Sequence, residues 1–304
     1  MGNERPSEAH GRYEFQRVEG EGVYEIPVGP IHAGIIEPGH FRFNVAGEEI
    51  LSLEPRLGFV HKGTEKLFET LPLEKKIRLS EKISGDSSFS HSLAFCQALE
   101  RLGGVKVAER AKYLRVVYAE LERLANHFGD IGAIMLDTGF NFGGAHGGRL
   151  REMIMQINER LTASRFLKRV NVIGGVATDI TKEEKRKLIE ELRRIINDFS
   201  EVIDVAENSA SLLNRLKDTG IVSKDVVQDH GAVGVAARAA GIACDARKDN
   251  PYAAYPHLEL EVAAGKTGDV YARFYVRIKE VFSSYKLIKE ALEKFPGGSD
   301  TVSV

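Results

Sequence analysis

A long amphipathic helix is the feature of this sequence that most constrains its fold. Apolar residues recur at intervals of three and four, with Glu, Arg and Lys between them, which is the spacing of one buried helix face. That face consists of Leu114, Val117, Leu121, Leu124, Phe128, Ile131 and Met135. A similar face near the end of the chain consists of Phe274, Ile278, Val281, Tyr285, Ile288, Leu292 and Phe295. Apolar faces of this kind must be covered by other elements, so the sequence predicts a bundle of long helices.

The chain ahead of these helices has the pattern of β-strands. Residues 41–54 alternate between apolar and polar side chains around Ala46-Gly47, which indicates a hairpin, and residues 23–27 form a further extended run. The predicted fold class is therefore mainly α with a small N-terminal antiparallel β sheet (α+β). The expected regions are a β hairpin region, residues 1–62, and a helical bundle, residues 63–304.

Caps and glycines predict the helix boundaries in the second region. Thr64 is a candidate N-cap, and Thr181 with Glu184 has the spacing of a capping box. The glycine-rich residues 139–148 predict an interruption between helices, and a further helix is expected over residues 200–217.

Composition excludes several classes of protein. A net charge of -2 lacks the basic footprint that nucleic-acid binding requires. Cys96 and Cys244 are the only cysteines, so a disulfide framework or a four-cysteine metal site cannot form, and both thiols are expected to be buried small side chains. We expect no signal peptide, no membrane span and no nucleotide site, since no apolar core, long apolar run, GxGxxG or P-loop occurs.

A series of short motifs carries a resemblance to a known family. In chain order they are Gly29-Pro30-Ile31-His32, EPGHFR at 37–42, GFVHKGTEK at 58–66, ERA at 109–111, AELERLANH at 119–127, NVIGG at 171–175 with Asp179, RAAG at 238–241, and then Asp245, Arg247, Asp249 and Pro251-Tyr252. Together they resemble the large subunit of membrane-associated NiFe-hydrogenases and the related 49-kDa subunit of respiratory complex I, and the nearest branch is that of the formate-hydrogenlyase large subunit. The resemblance implies the long-helix bundle of that family.

The chain departs from the hydrogenase pattern at two points. Ser84 and Ser87 stand where the family's first Cys-x-x-Cys metal-ligand pair would stand. A serine hydroxyl is a poor ligand for nickel and iron, which prefer thiolates. The second Cys-x-x-Cys pair of the hydrogenases would lie beyond Val304. We therefore expect no nickel–iron centre and no metal site in this chain.

The resemblance also implies a set of site residues around one cavity. The implied catalytic residues are Glu37, His61, Glu81, Asp86 and His91. The implied cofactor-binding residues are His32, Ser84, Ser87 and Arg238. Clustered carboxylates and histidines could relay protons there.

Several of these residues also have an alternative interpretation. Asp86 could stabilise a helix start, His91 could simply bond a neighbour, and His61 with Lys62 could serve turn chemistry. Glu37 could be a plain hairpin carboxylate. Arg238 and Arg247 flank Asp245, which is consistent with an ion-pair network. A solvated or interface face is expected for Glu109, Arg110, Glu120, Glu122 and Arg123.

The function implied by the resemblance is that of a catalytic-type large subunit in a membrane-associated quinone-reducing or hydrogenase-like complex. Electrons would pass from a partner's iron–sulfur cluster to a quinone or another small acceptor, and this chain would hold no cofactor of its own. The implied partners are an iron–sulfur subunit of the complex I 20-kDa type, a 30-kDa-type subunit and membrane-arm subunits. The expected location is the inner face of the cell membrane. The alternative is a non-catalytic scaffold subunit; a hydrogenase with other metal ligands is a third, disfavoured hypothesis.

Overall fold

The computed structural model describes residues 15–33 and 38–296. The chain packs as two units, Met1–Lys66 and Leu67–Val304. Helix α1 (Thr64–Thr70) spans the boundary between them. Thr64 is the first residue of this helix rather than its cap, a difference of one residue.

The first unit contains a three-stranded antiparallel sheet with the strand order β1-β2-β3. The strands are β1 (Val23–His32), β2 (Gly39–Ala46) and β3 (Glu49–Arg56). The predicted hairpin at Ala46-Gly47 is confirmed, since Ala46 pairs with Glu49 and Gly47 adopts a φ of 62°. Glycine suits this left-handed conformation because it has no Cβ.

The two faces of this sheet differ in chemistry. One face carries apolar side chains from all three strands, because Ile26 pairs with Phe43, which pairs with Leu53. Tyr24, Ile26 and Leu53 of this face are exposed. The other face is polar, and its Arg42 guanidinium lies 3.8 Å from the centre of the Phe15 ring.

The second unit is a helical bundle, as expected. Its elements are α2 (Leu73–Ser80), α3 (Ser88–Gly103), α4 (Glu109–Asp137), α5 (Asn141–Thr162), the two-residue strands β4 (Asn171–Val172) and β5 (Gly175–Val176), α6 (Lys182–Glu207), α7 (Ala210–Leu216), α8 (Lys224–Asp229), α9 (Gly234–Ala239), α10 (Ala246–Asp249), a 3-10 turn (Tyr255–His257) and α11 (Val270–Lys294). No helix in the described part of the chain is long and apolar enough to cross a membrane.

Helix α4 lies at the centre of this bundle and packs against α3, α5 and α11. All seven apolar residues predicted for its buried face are buried. On α11, Phe274, Ile278 and Val281 are buried in the same core, with Tyr285 and Phe295 packed at its edge. Burial of each such side chain contributes about 1.5–3 kcal/mol, so the two predicted faces provide the main core of the unit.

The interruption predicted for the glycine-rich residues 139–148 is confirmed only at its start, because residues 138–140 separate α4 from α5 and Gly139 adopts a φ of 81°. Helix α5 begins at Asn141 and includes most of this segment. A Cβ added to Gly147 would lie 2.5 Å from the Cα of Gly132, so α4 and α5 approach each other closely at this point. Gly143, Gly144 and Gly147 therefore permit close contact between the helices rather than ending a helix.

The predicted helix over residues 200–217 is also wrong in its boundaries. Helix α6 continues to Glu207, and a separate helix, α7, follows. The break occurs because the Ser209 hydroxyl accepts a hydrogen bond from the backbone N–H of Leu212 and so starts a new helix. At the other end of α6 the capping box of Thr181 and Glu184 is confirmed.

We predict opposite effects for two neighbouring glycine substitutions in α5. Gly147→Ala should lower the free energy of unfolding by about 1–3 kcal/mol, because the added methyl collides with Gly132. Gly148→Ala is the control, since nothing lies within 4 Å of its Cβ position, and it should raise stability by up to about 1 kcal/mol. Urea-induced unfolding followed by circular dichroism measures both, and equal effects would contradict the close contact of α4 and α5.

Candidate functional site

The segment that carries the expected site residues is a closed turn between α2 and α3. The Ser88 hydroxyl lies 2.9 Å from the carbonyl oxygens of both Glu81 and Gly85. The backbone N–H of Ser87 donates to the carbonyl of Ser84 at 3.3 Å. These bonds fix the turn and leave Ser84 and Ser87 half-buried.

Glu81 anchors this turn to the loop after α5. Its side chain is buried, and its Oε1 accepts a hydrogen bond from the backbone N–H of Arg169 at 2.6 Å. The Arg78 guanidinium lies 3.6 Å from the same oxygen. Structural anchoring therefore accounts for the burial of this carboxylate.

The alternative to a proton-handling role for Asp86 is that it caps the start of α3. Its side chain is bonded elsewhere. Its exposed carboxylate accepts a hydrogen bond from Arg151 Nη2 at 2.7 Å. Its backbone carbonyl accepts one from the Asn126 side chain at 3.1 Å. Asp86 also lines a cavity of about 10 Å³ together with Glu122 and Arg165, which is room for one water molecule.

The carboxylate at the N-terminus of α3 belongs instead to Glu122 of α4. Its Oε2 accepts from the backbone N–H of Phe89 at 2.7 Å, and its Oε1 accepts from the backbone N–H of Ser90 at 3.0 Å. The Ser90 hydroxyl donates to the same Oε1. Glu122 is 5% exposed, so the expectation of a solvated or interface side chain is wrong here. The free N–H groups of a helix start require an acceptor, and α4 supplies one from within the bundle.

Burial raises the pKa of Glu122 to about 7, although the hydrogen bonds from Ser90 and Phe89 oppose this rise. Burial also lowers the pKa of His91, which lies one helical turn after Ser87. The pKa of Glu122 therefore lies in the range in which a group can both bind and release a proton near neutral pH.

The other implied site residues of the N-terminal region are not part of the described second unit, which contains this turn. His32 lies on β1 and is exposed, opposite Gly39 of β2. His61 is exposed and belongs to the first unit. Glu37 lies outside the described residues. Convergence of all five implied catalytic residues on one cavity therefore stays a prediction.

A buried charge cluster lies on the other side of α4. Glu120 is fully buried, so its expected position on a solvated or interface face is wrong. Its carboxylate accepts hydrogen bonds from Arg247 Nη1 at 3.0 Å, the Tyr255 hydroxyl at 2.5 Å and the Ser284 hydroxyl at 2.6 Å. Burial opposes ionisation, but Arg247, Arg123 and the two hydroxyls outweigh it and hold the pKa of Glu120 at about 2.

The same cluster contains Arg238, which the resemblance implies as a cofactor-binding residue. Its Nε donates to Glu280 Oε1 at 2.5 Å, and its Nη1 donates to the carbonyl of Cys244 at 3.0 Å. The other oxygen of Glu280 lies 2.7 Å from His127 Nε2. Arg247 also binds Asp245 through Nε and Nη2. These contacts support the ion-pair alternative for Arg238, Asp245 and Arg247.

Sequence reasoning missed Glu120 and Glu122, although a signal for Glu120 was present. Glu120 lies three positions after Val117 and four before Leu124, so it falls on the predicted apolar face of α4. A charged residue on such a face must have a buried partner. The spacing could have identified Glu120 as buried, but not which residue pairs with it.

The donor set at the turn does not fit a nickel–iron centre. Ser84 and Ser87 offer hydroxyls, and nickel and iron sites of this kind require thiolates. Cys96 is buried in α3, as expected, and burial raises the pKa of its thiol to about 11. Cys244 is only half-buried and lies in the charge cluster on the other side of α4. The described residues contain no group of three or more His, Cys, Asp or Glu side chains placed to hold a metal ion.

We predict that loss of the Glu120 charge weakens the bundle far more than loss of a surface charge. Glu120→Gln should lower the free energy of unfolding by about 3 kcal/mol, because the buried Arg247 guanidinium loses the negative charge of its partner. The control is Glu190→Gln, which removes an exposed ion pair with Arg194 and should cost less than about 0.5 kcal/mol. Thermal and urea unfolding measure both, and equal losses would contradict the importance of the cluster.

Comparisons with known proteins identify the family. A sequence profile of the respiratory-chain NADH dehydrogenase 49 kDa subunit matches residues 130–303. Formate hydrogenlyase subunit 5 of Escherichia coli is 36% identical over 90% of this chain and 48% of its own length. The carbon monoxide-induced hydrogenase of Rhodospirillum rubrum is 34% identical over 91% of this chain and 77% of its length.

An NADH-quinone oxidoreductase subunit of Carboxydothermus hydrogenoformans is 34% identical over 90% of this chain and 75% of that protein. The chain thus spans about half of the first relative and about three quarters of the other two. Similarity extends over nearly the whole chain and includes both hydrogenases and quinone oxidoreductases. The chain belongs to the family of the respiratory-chain NADH dehydrogenase 49 kDa subunit.

Proposed function

We propose that this chain is the large subunit of a membrane-associated, multi-subunit oxidoreductase and that it works without a nickel–iron centre. It would receive electrons from an iron–sulfur cluster in a partner subunit and pass them to a quinone or another small acceptor. The observation that carries the proposal is the hydrogen-bonded turn at Ser84 and Ser87. The resemblance implies a metal-binding turn at this segment, and the hydrogen-bonded turn found there offers serine hydroxyls in place of thiolates.

The structure of the turn favours a retained role for this segment. Ser88 closes it through two backbone carbonyls, Glu81 anchors it and Glu122 satisfies the start of α3. Buried polar side chains are costly unless they are fully bonded. A set of mutually satisfied polar groups therefore indicates that the turn holds one defined geometry.

Reduction of a quinone to a quinol consumes two electrons and two protons, so an acceptor site of this kind requires proton donors. Glu122 has a pKa near 7 and lines the cavity beside Asp86. We assign to Glu122 the exchange of protons at this turn, with the Asp86–Arg151 ion pair at the solvent side of the cavity. No step of this scheme passes through a metal ion of this chain.

The proposed partners are an iron–sulfur subunit, a 30-kDa-type subunit and membrane-arm subunits, which would place the chain at the inner face of the membrane. Its relatives include a protein named membrane-bound hydrogenase subunit alpha and several named as subunits of NADH-quinone oxidoreductase. The apolar sheet face of the first unit, with Tyr24, Ile26 and Leu53 exposed, supports a covering partner.

A non-catalytic scaffold subunit is the second candidate. It is favoured by the engagement of Asp86 with Arg151 and of Arg238 with Glu280, because neither side chain is free to bind an acceptor. The two candidates differ in whether the assembled complex reduces a quinone.

Co-purification of the complex from its native source, followed by a quinone-reduction assay, tests the proposal. We expect an iron–sulfur subunit to accompany the chain and the complex to form quinol from a water-soluble quinone. Glu122→Gln should slow quinol formation at pH 7 without loss of the partners. Quinone reduction that is unaffected by Glu122→Gln would contradict the proton role, and a complex without any quinone reduction would favour the scaffold.

A pH series on the isolated chain tests the assignment of Glu122 separately. The pKa of Glu122 is higher in the folded chain than its ordinary value of 4.5, so its contribution to stability is complete below pH 4.5 and is lost as pH rises through about 7. Between pH 5 and pH 8.5 the wild-type chain should lose up to roughly 3 kcal/mol that Glu122→Gln does not lose. Parallel pH dependence of unfolding in the two chains would contradict the raised pKa.

A further inference from the structure

A cavity of about 330 Å³ lies between the exposed side of α3 and the segment that follows α10. This α3 cavity has in its lining Ser90, Ala94, Gln97, Arg101, Asn250 and Tyr252. Sites for small organic molecules have volumes of about 300–1,000 Å³, so the cavity is large enough for one. A neighbouring cavity of about 570 Å³ shares Gln97, Arg101 and Tyr252 with it, so a ligand can extend further along the helix.

The lining of the α3 cavity combines hydrogen-bond donors with apolar surface. Ser90, Gln97, Arg101 and Asn250 each offer an O–H or N–H donor, and none of the described lining residues is a carboxylate. The Tyr252 ring is a flat wall, and it packs against the Tyr255 ring with the ring centres 4.9 Å apart. Leu93, Ala94 and Ala98 complete the apolar part. A planar ring that carries carbonyl oxygens fits this combination of groups.

Ser90 connects this cavity to the buried carboxyl group of Glu122. Its hydroxyl donates a hydrogen bond to Glu122 Oε1. Ser90 is exposed, so a ligand can reach it, whereas Glu122 is 5% exposed. A hydroxyl has one donor and two acceptor positions. When Glu122 is protonated, its O–H can donate to Ser90 Oγ, and the serine hydroxyl is then free to donate to a ligand in the cavity.

Glu122 lies between two cavities. The small cavity of about 10 Å³ is lined by Glu122 with Asp86 of the turn, Arg151 of α5 and Arg165 of the following loop. Arg123 of its own helix also favours the ionised form of Glu122, but burial outweighs it and raises the pKa to about 7. Ser90 does not line the small cavity, and Asp86 does not line the α3 cavity. A proton can therefore enter Glu122 from one side and leave it through Ser90 on the other.

We propose that the α3 cavity binds the ring of a quinone acceptor and that the Ser90 hydroxyl passes the proton of Glu122 to one of the carbonyl oxygens. The inference rests on the proposed function, because it locates the acceptor of that function.

Formation of the quinol balances with these groups. Two electrons come from the iron–sulfur cluster of the proposed partner subunit and reduce the quinone. One proton leaves Glu122 through Ser90 and forms the first O–H bond. The second proton comes from solvent, which reaches the cavity at the exposed residues Arg101 and Asn250, and forms the second O–H bond. Glu122 regains its proton from the side of the small cavity.

Binding of duroquinone to the full chain, measured by calorimetry without any electron donor, tests the site. Ala94→Phe should weaken binding at least about tenfold, because the added ring takes the space of a ligand that must be largely enclosed. The control is Leu102→Phe, which enlarges an exposed residue of α3 that lines neither cavity and should have no effect. Circular dichroism checks the fold of each variant, and Ala98→Phe carries the test if Ala94→Phe does not fold. Absence of binding, or binding that these alanine substitutions leave unchanged, overturns the proposal.

Steady-state reduction of duroquinone by the purified complex tests the relay. Ser90→Ala should lower kcat at least about tenfold with a smaller change in KM, because the proton path is lost while most of the cavity stays. Ser90→Thr should restore kcat, since threonine keeps the hydroxyl, and Ala94→Phe should instead raise KM. Reduction that Ser90→Ala and Ala94→Phe both leave unchanged overturns this inference and leaves the proposed function standing. A complex that reduces no quinone, although the full chain binds duroquinone in the α3 cavity, overturns the proposed function and the relay and supports the binding site alone.

Discussion

The buried ion pair between Glu120 and Arg247 is the contact on which the helical unit depends. It joins α4 to α10, and Ser284 of α11 donates to the same carboxylate. Both side chains are at most 3% exposed, so neither charge can return to water unless the bundle opens. The pKa of about 2 at Glu120 means that the carboxylate stays charged down to strongly acidic pH. The stability it provides is complete above the ordinary pKa of 4.5 and is lost only as pH falls towards 2.

Helix α4 carries two buried carboxylates with opposite titration behaviour. Glu120 and Glu122 are two positions apart, so they project from different sides of the helix. Guanidiniums surround Glu120 and hold it ionised, whereas Glu122 is bonded mainly to neutral groups of Phe89 and Ser90 and has a pKa near 7. One helix therefore stabilises the bundle through a fixed charge and provides the turn at Ser84 and Ser87 with a group that can exchange protons.

Much of the fold could be predicted from local patterns, and the site could be predicted only in part. The apolar faces of α4 and α11, the hairpin at Gly47 and the capping box at Thr181 depend on residues close in sequence. The glycines of α5 are ambiguous in sequence because glycine permits both helix ends and close helix contact, and only the position of Gly132 on another helix distinguishes these roles. Glu120 could not be paired from sequence because Tyr255 and Arg247, its partners, lie more than a hundred positions along the chain.

The central proposal is that the family scaffold is kept here and that Ser84 and Ser87 stand in place of the thiolate ligands of nickel and iron. The most direct test is the nickel content of the complex purified from its native source, measured by mass spectrometry against the amount of this chain. Iron from a partner's cluster is expected, and nickel should be far below one atom per chain. One nickel atom per chain, retained through purification and bound to this subunit, would contradict the account.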